Sequence, residues 1–436
     1  MAVGSLSSLS TNGWDHLFLE HVKPGLEKQF VLNTKVWDRF APKTEILQGK
    51  YGVLKVSTAG AKSFGAQSSS TYPTADLGSY DEFHVYMKRA MMATLQFGGL
   101  ELACAKGVGA VKDLVKTEIE NLTDEMSNRL NMQTWGDGSG RLAQLYAAVT
   151  ASTTGYVDGP THGIDSNDFT SPSRYLQEGM YVDIYNTSGT LQGSNVKLST
   201  ITLGTSTYDT LTFADTVTAD ADAYLFSHGS YATSEAAGTG VPMGIKGIVT
   251  TANPYVGITA TSAFQGVNRS SYTWAQGQVF NMGTSAAAPS AVTNKKILEV
   301  IQKVEQYGKV DVILTNGVIW RCIYSMWEAD KTMPNEKSYW GGLTGLTFYG
   351  GKSNGVPIIY DDDCPDQSMY FLDSSKIYKV APDKSGLEWV PGTSGHILTR
   401  VQGKDEFTAN LRSYYNLATD KPRAHGLLRY IKHADS

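Results

Sequence analysis

An α+β fold of several parts is predicted by three runs of residues. The first is a long hairpin with nothing of its own to bury: Gly49 to Ala59 reads as a strand, Asp81 to Phe97 as its return, and the run Gly60 to Tyr80 between them is rich in Gly, Ala, Ser, Thr and Tyr. Unstructured connections of that length are uncommon inside compact domains. A lone two-stranded ribbon is marginally stable in water, so this arm is expected to lean on another surface, a second copy of the chain being the simplest. The second run is a long amphipathic helix, and the third a β-rich stretch followed by mixed α and β segments.

The elements follow in order. In residues 1–48, Trp14, Leu17, Phe18, Val22 and Leu26 recur at helical spacing, and Phe30, Leu32, Val36, Trp37 and Phe40 form a second apolar set ended by Ala41-Pro42. The hairpin arm occupies 49–97. After Gly98-Gly99, Val111, Leu114, Val115, Ile119, Leu122, Met126 and Leu130 lie three and four apart on one helical face. A helix from Leu100 to Met132 would be on the order of 50 Å long at 1.5 Å per residue. Gly136-Asp137-Gly138-Ser139-Gly140 ends it.

From Ser171 to His228 the alternation is that of strands, with Met180–Tyr185, Asn195–Leu203, Tyr208–Phe213 and Ala223–Phe226 as the clearest. Short strands at regular spacing predict a small sandwich or barrel. Beyond Gly240 the pattern is mixed. Thr293-Asn294 caps a helix with Ile297, Ile301, Val304 and Tyr307 on one face. Lys309–Thr315 is a strand, and Asn316–Asp330 a helix with Val318, Ile319, Cys322 and Ile323 inward. Val356–Tyr360, Ser368–Leu372 and Ile377–Val380 are strands; Glu406–Leu417 closes the chain as another, before Ala424–Ile431.

The 436 residues suffice for two or three domains. Charged residues make up 18%, below the roughly 25% of ordinary soluble domains, which suits a surface covered by partners. The net charge of −5 argues against a nucleic-acid reader. The charge is uneven: Tyr156 to Gly240 holds ten acidic residues against Arg174 and Lys197, so the rest of the chain is slightly basic. Cys104, Cys322 and Cys364 are odd in number and far apart, which reads as buried free thiols in a reducing compartment. The N-terminus has neither the charged nor the apolar region of a signal peptide, and no run of eighteen apolar residues predicts a membrane span.

Local motifs for chemistry are weak. Gly350-Gly351-Lys352-Ser353 has Leu346 where a phosphate loop needs glycine, and a strand follows where that loop needs a helix. Asp361-Asp362-Asp363 could hold a hard cation or cap a turn. The eight histidines form no HExxH pair, and Gly-x-Ser-x-Gly does not occur. No catalytic, cofactor-binding or metal residue is assigned.

The order of these elements resembles the tailed-phage major capsid protein family, with its Hong Kong 97-type capsid fold. The likeness rests on the N-terminal arm with Trp14 and Trp37, the hairpin at 49–97 and the helix ending in Asn131–Gly140. It also rests on Gly355–Asp373 and the closing Leu411–Gly426. The resemblance implies an N-terminal arm at 1–48, an extended hairpin loop at 49–97 and a peripheral domain with the spine helix at 98–170. It further implies an inserted β-rich surface domain at 171–230, an axial domain at 231–400 and a return to the peripheral domain at 401–436.

On that reading the chain is a non-enzymatic shell subunit. It would self-assemble as pentamers and hexamers into an icosahedral head around double-stranded DNA, in the virion and in the host bacterial cytoplasm. Expected partners are further copies, separate scaffolding, decoration and portal proteins, and packaged DNA through non-specific contact, with no membrane and no cofactor. Expected arm contacts are Lys62, Phe64, Tyr72, Leu77 and Tyr80. The short 1–48 segment leaves no room for a built-in scaffold. A covalent cross-link of the kind one branch makes would need Lys62, an asparagine such as Asn410 or Asn416 on a neighbour, and a nearby glutamate; the shell is expected to be held without one. Two rivals remain: an encapsulin-like nanocompartment shell of the same fold, and a β-rich hydrolase or adhesin using Asp361–Asp363.

Overall fold

The computed structural model describes residues 36–43, 52–55, 80–99, 122, 125–126, 128–159, 173–203, 208–232, 240–253, 263–286, 288–329, 347–348, 355–381, 387–390 and 399–432. Strands β1 (Ala41–Lys43), β2 (Gly52–Lys55), β3 (Tyr80–Phe83) and β4 (Lys88–Gly98) come first. A helix follows, described at 122, 125–126 and 128–135; the rest of the predicted spine, with Cys104, lies outside the described residues. Then come β5 (Arg141–Leu145), β6 (Val149–Gly159), β7 (Tyr181–Tyr185), β8 (Leu191–Thr202), β9 (Asp209–Ala219) and β10 (Tyr224–Ser227). The last part holds β11 (Gln278–Asn281), α1 (Asn294–Val304), β12 (Val312–Thr315), α2 (Gly317–Ala329), β13 (Thr347–Phe348) and β14 (Val356–Tyr360). It ends with β15 (Met369–Leu372), β16 (Ile377–Val380), β17 (Leu387–Val390), β18 (Thr399–Arg400), β19 (Glu406–Thr419) and β20 (Gly426–Arg429).

The hairpin departs from its expected form. Its return is two strands, not one. β3 pairs with β2, from Lys55 opposite Tyr80 to Gly52 opposite Phe83. β4 leaves the ribbon and pairs antiparallel with β19, from Glu406 opposite Gly98 to Tyr415 opposite Lys88. The break at 84–87 has a cause. The His84 N–H donates to the Gln265 carbonyl at 2.9 Å, Val85 is buried against Val380 and Ala418, and the Tyr86 carbonyl accepts from Asn416. β19 also carries β16, β17 and β18. β1 adds to β16 in parallel, which places Pro42 on an outer strand where its missing N–H costs no ladder bond.

β5 to β10 close into a barrel in the order β10-β5-β6-β9-β8-β7, with β7 returning to β10. The β-rich unit therefore starts earlier than residue 171, because β5 and β6 supply two of its staves. The run Thr150–Thr154 is Thr, Ala, Ser, Thr and Thr and lacks the apolar alternation that marks β7 and β9. Leu142, Leu145, Val157, Val182, Ile184, Leu198, Leu211 and Leu225 fill the interior. Gly155 lets β6 approach Phe213: a Cβ there would sit 2.9 Å from the ring. The entry and exit strands, β5 and β10, pair with each other, so the barrel hangs from the rest of the chain by neighbouring strands.

The mixed sheet has the order β11-β20-β15-β12-β14-β13. Period-two alternation sends its side chains to two separate cores. Ile313, Met369, Phe371 and Leu428 pack with α1 and α2 through Ile297, Ile301, Val304, Ile319 and Ile323. Val312, Leu314, Tyr370, Leu372 and Leu427 pack with Trp37, Leu130, Trp135, Ile245, Tyr415 and Leu417 on the opposite face. Thr293 caps α1 as expected, its Oγ1 accepting from the Lys296 N–H at 3.3 Å. The inward set differs slightly from expectation. Val300 and Trp320 are buried, while Tyr307, Val318 and Cys322 are half-buried; among the described residues Cys364 is the buried thiol.

His425 sits fully buried between the sheets. Its Nδ1 accepts from the Asp373 N–H at 3.3 Å, so Nε2 carries the proton, 3.2 Å from Thr419 Oγ1. Burial pushes the imidazole from its ordinary value of 6.5 down to about 4, against the weaker opposite pull of Asp373. Between those values the unfolded chain binds a proton that the folded chain refuses. Stability is therefore full above pH 6.5 and falls as the pH drops toward 4, by about 3 kcal/mol in total. Urea midpoints at stepped pH should show this slope, and His425→Gln should flatten it while lowering stability at pH 7. Equal slopes in the two proteins would show that His425 is not the group responsible.

Candidate functional site

Two places concentrate the features expected of a working surface: the root of the β2–β3 ribbon, and a joint where three parts of the chain meet. Lys62, Phe64, Tyr72 and Leu77 lie outside the described residues; Tyr80 opens β3 opposite Lys55. Among the described residues, the ribbon is a sheet of its own and joins no third strand. Its root is held hard. Asn416 is fully buried, with Oδ1 accepting from the Met243 N–H at 2.8 Å and Nδ2 donating to the Tyr86 carbonyl at 2.8 Å. Both functions of that amide are used within the subunit. Asn410 is exposed on the outer face of β19, where its Oδ1 accepts from Thr94 Oγ1 at 2.8 Å.

The joint gathers the end of the spine helix, the end of the barrel's β6–β7 connection, and the acidic turn after β14. Asn131 Nδ2 donates to Asp361 Oδ1 at 3.0 Å and to Asp363 Oδ2 at 2.6 Å. Two carboxylates can only accept, so the amide orientation is forced, and Asn131 Oδ1 is left buried without a hydrogen-bond partner. Arg174 Nη2 donates to the Asp362 carbonyl at 2.7 Å and to Asp363 Oδ1 at 3.0 Å. Asp361 Oδ1 also accepts the Asp363 N–H at 2.9 Å, which closes a tight turn. Burial pushes the Asp361 carboxyl above its ordinary value, against the lowering pull of the Asp363 N–H and Asn131. Of the two sequence readings of the aspartates, the structure shows turn capping and a bridge between parts of the chain.

Beside the joint, Asp137 Oδ1 accepts from the Ser139 N–H and hydroxyl at 2.9 and 2.6 Å, and Oδ2 takes Arg141 Nη2 at 3.4 Å. This folds Gly136–Gly140 tightly before β5. Across the gap, Asp183 is buried beneath His228 Nδ1 at 2.8 Å and the N–H groups of Asn195 and Gly229, each at 2.8 Å. Burial raises the Asp183 carboxyl, but the bond from His228 and the two backbone donors outweigh it and leave it below the ordinary range. These walls enclose a cleft of about 970 Å³, lined among others by Met92, Met126, Arg174, His228 and Asp363. Sequence reasoning found the aspartates and missed Asn131 and Arg174. Asn131 is one polar position in a helix, and Arg174 is one of only two cations in an acidic stretch.

Asn131→Ala leaves two carboxylates facing each other without their shared donor, and should cost about 2 kcal/mol in chemical denaturation. Arg174, a third exposed, should cost less than about 1 kcal/mol on replacement by Ala. An Arg174→Ala loss equal to that of Asn131→Ala would show that the arginine, not the amide, holds the joint.

No family model and no curated protein matches the chain. Solved structures do. One is a chain of the cyanophage A-1(L) capsid asymmetric unit, 13% identical, covering 90% of each chain with a TM-score of 0.47. Another is from the capsid of the Myoviridae phage XM1, 8% identical over 91% of each chain, TM-score 0.39. The holo-SrpI encapsulin of Synechococcus elongatus PCC 7942 is 16% identical over 36% of this chain and 54% of that one, TM-score 0.26.

Proposed function

We propose that this chain is a structural shell subunit, the major capsid protein of a tailed phage, which self-assembles into an icosahedral head around double-stranded DNA. The observation that carries this reading is the β2–β3 ribbon. It joins no third strand among the described residues, yet its root is fixed by Asn416 and by the turn into β4. A ribbon of two strands is marginal alone, and a rigid root makes sense for an element whose partner surface belongs to another copy. Lys62, Phe64, Tyr72, Leu77 and Tyr80 are the proposed contacts of that arm.

The same reading extends to the rest of the chain. The sheet centred on β19 with the spine helix is the peripheral part, the β11–β20 sheet with α1 and α2 the axial part at capsomer centres, and the barrel an outward module. Scaffolding, decoration and portal proteins would be separate partners. The work is geometric and needs no catalytic residue. The hydrolase reading loses its candidate site, because Asp361 and Asp363 are engaged by Asn131 and Arg174. No helix of the described residues is long and apolar enough to cross a membrane.

Deleting residues 60–79 should leave folded subunits that form no shells by negative-stain microscopy, whereas the intact chain forms closed particles. Normal shells from the deletion would sink the arm reading. Small cages empty of DNA from an infected host would favour the nanocompartment instead. Asn416 is consumed within its own subunit, and Lys62 has only Ala61 and Ser63 beside it in sequence, no large apolar neighbour to favour the neutral amine a cross-link needs, so particles boiled in detergent should release one band near 47.3 kDa. A ladder of high-mass species, lost on Lys62→Ala, would establish the covalent alternative.

A further inference from the structure

The barrel carries an aromatic ledge that neither its core nor the joint uses. Leu145 and Val157 point into the barrel, so the alternation sends their neighbours Tyr146 and Tyr156 outward. The two lie side by side, the Tyr146 N–H donating to the Tyr156 carbonyl at 2.8 Å. Tyr208 joins them just ahead of β9. Its ring stacks on Tyr146 with centres 5.4 Å apart and meets Tyr156 edge-on at 5.2 Å. Tyr146 and Tyr156 are 54% and 39% exposed, so two large rings of one cluster face solvent.

The ledge continues across the sheet as hydroxyls. Tyr156 lies opposite Thr210 on β9, and Thr210 lies opposite Thr202 on β8. The next outward row of the same three strands is Thr154, Thr212 and Thr200. At about 4.8 Å per strand, the first row from Tyr146 to Thr202 spans roughly 14 Å. Among the described residues, none of the eight tyrosine and threonine hydroxyls has a protein partner. Neither row contains a charged residue. Glu178, whose Oε1 accepts from the Ile201 N–H at 3.1 Å, sets a carboxylate at the β8 edge.

This chemistry selects a ligand. A protein docked here would desolvate eight hydroxyls for little apolar area, at a cost for each one left unpaired. A polyanion would find no cation in either row, and would face Glu178 and the acidic excess of 156–240. A neutral sugar fits both halves of the surface. The C–H face of its ring lies on an aromatic face, and its hydroxyls give to and accept from threonine and tyrosine hydroxyls. We propose that this wall of the barrel binds a neutral oligosaccharide, with Tyr146 and Tyr156 stacking on its rings and the threonine rows bonding its hydroxyls. The face belongs to the barrel alone, so binding there does not depend on whether the chain builds a shell.

The test is isothermal titration calorimetry of the full-length chain with maltohexaose, cellohexaose, chitohexaose and mannohexaose. At least one of these neutral sugars should bind, and heparin should not displace it. Tyr146→Ala and Tyr156→Ala should each weaken binding by about tenfold. Tyr156→Phe keeps the ring and should retain most of the affinity. Thr210→Val keeps the β-branched shape that suits a strand but removes the hydroxyl, and should lose affinity several-fold. Tyr181, exposed on β7 across the barrel from β6, is the control, and Tyr181→Ala should change nothing. Binding by none of the four sugars would overturn the proposal, as would displacement by heparin or an equal loss in Tyr181→Ala. Absence of sugar binding together with self-association that Tyr146→Ala abolishes would show that a second copy covers the ledge instead.

Discussion

The pairing of β4 with β19 is the constraint on which the rest of this structure depends. It joins residues as far apart as Thr94 and Asn410, 316 positions along the chain. β19 then serves every neighbour at once. It supports β16 and β17, sets Tyr415 against Trp37 with ring centres 4.6 Å apart, and offers Asn416 to both Met243 and Tyr86. None of these contacts can form before the C-terminal segment has returned. Closing so long a loop is entropically costly, though the cost grows only slowly with length. Long-range pairing of this kind makes folding slow rather than unstable.

A second consequence follows from the mixed sheet. With helices on one face and the β19 layer on the other, each central strand divides its side chains between two cores. Met369 and Phe371 go one way, Tyr370 and Leu372 the other. A shift of one residue in β15 would exchange the two sets, so register is strongly specified. The sheet thereby couples the α1–α2 layer rigidly to the layer that roots the ribbon. The barrel is coupled differently. Its paired entry and exit strands give it independence, and its pose rests on the polar bridge of Asn131 and Arg174 to the Asp361–Asp363 turn.

Charge is organised on the same plan. The stretch 156–240, most of the barrel, carries the acidic excess and the rest of the chain is slightly basic, so the net value of −5 conceals segments of opposite sign. Read as a total, −5 argues against contact with nucleic acid. Read on the folded surface, it says little about any one face, because screening makes each patch act locally.

The sequence by itself determined the elements whose signal is local. Thr293 before an apolar face marked α1, alternation marked β7, β14, β15 and β16, and Gly136–Gly140 marked the end of the spine helix. What tertiary structure decided lay in contacts between distant residues. The split of the return strand at 84–87 comes from Gln265 and Asn416, which no pattern near residue 84 announces. β6 was missed because its threonines and serine alternate weakly, and β5, Arg-Leu-Ala-Gln-Leu, because it is short and its burial depends on closing the barrel. The Asp361–Asp363 turn was legible as an acidic cluster, but its role depends on Asn131 and Arg174, each more than 180 positions away. The end of α1 and the segment before β20 lie 120 positions apart, and only the fold brings them together, with Gln278 donating to the carbonyls of both Lys303 and Arg423. Period and capping are properties of neighbouring residues; shared surfaces are properties of the fold.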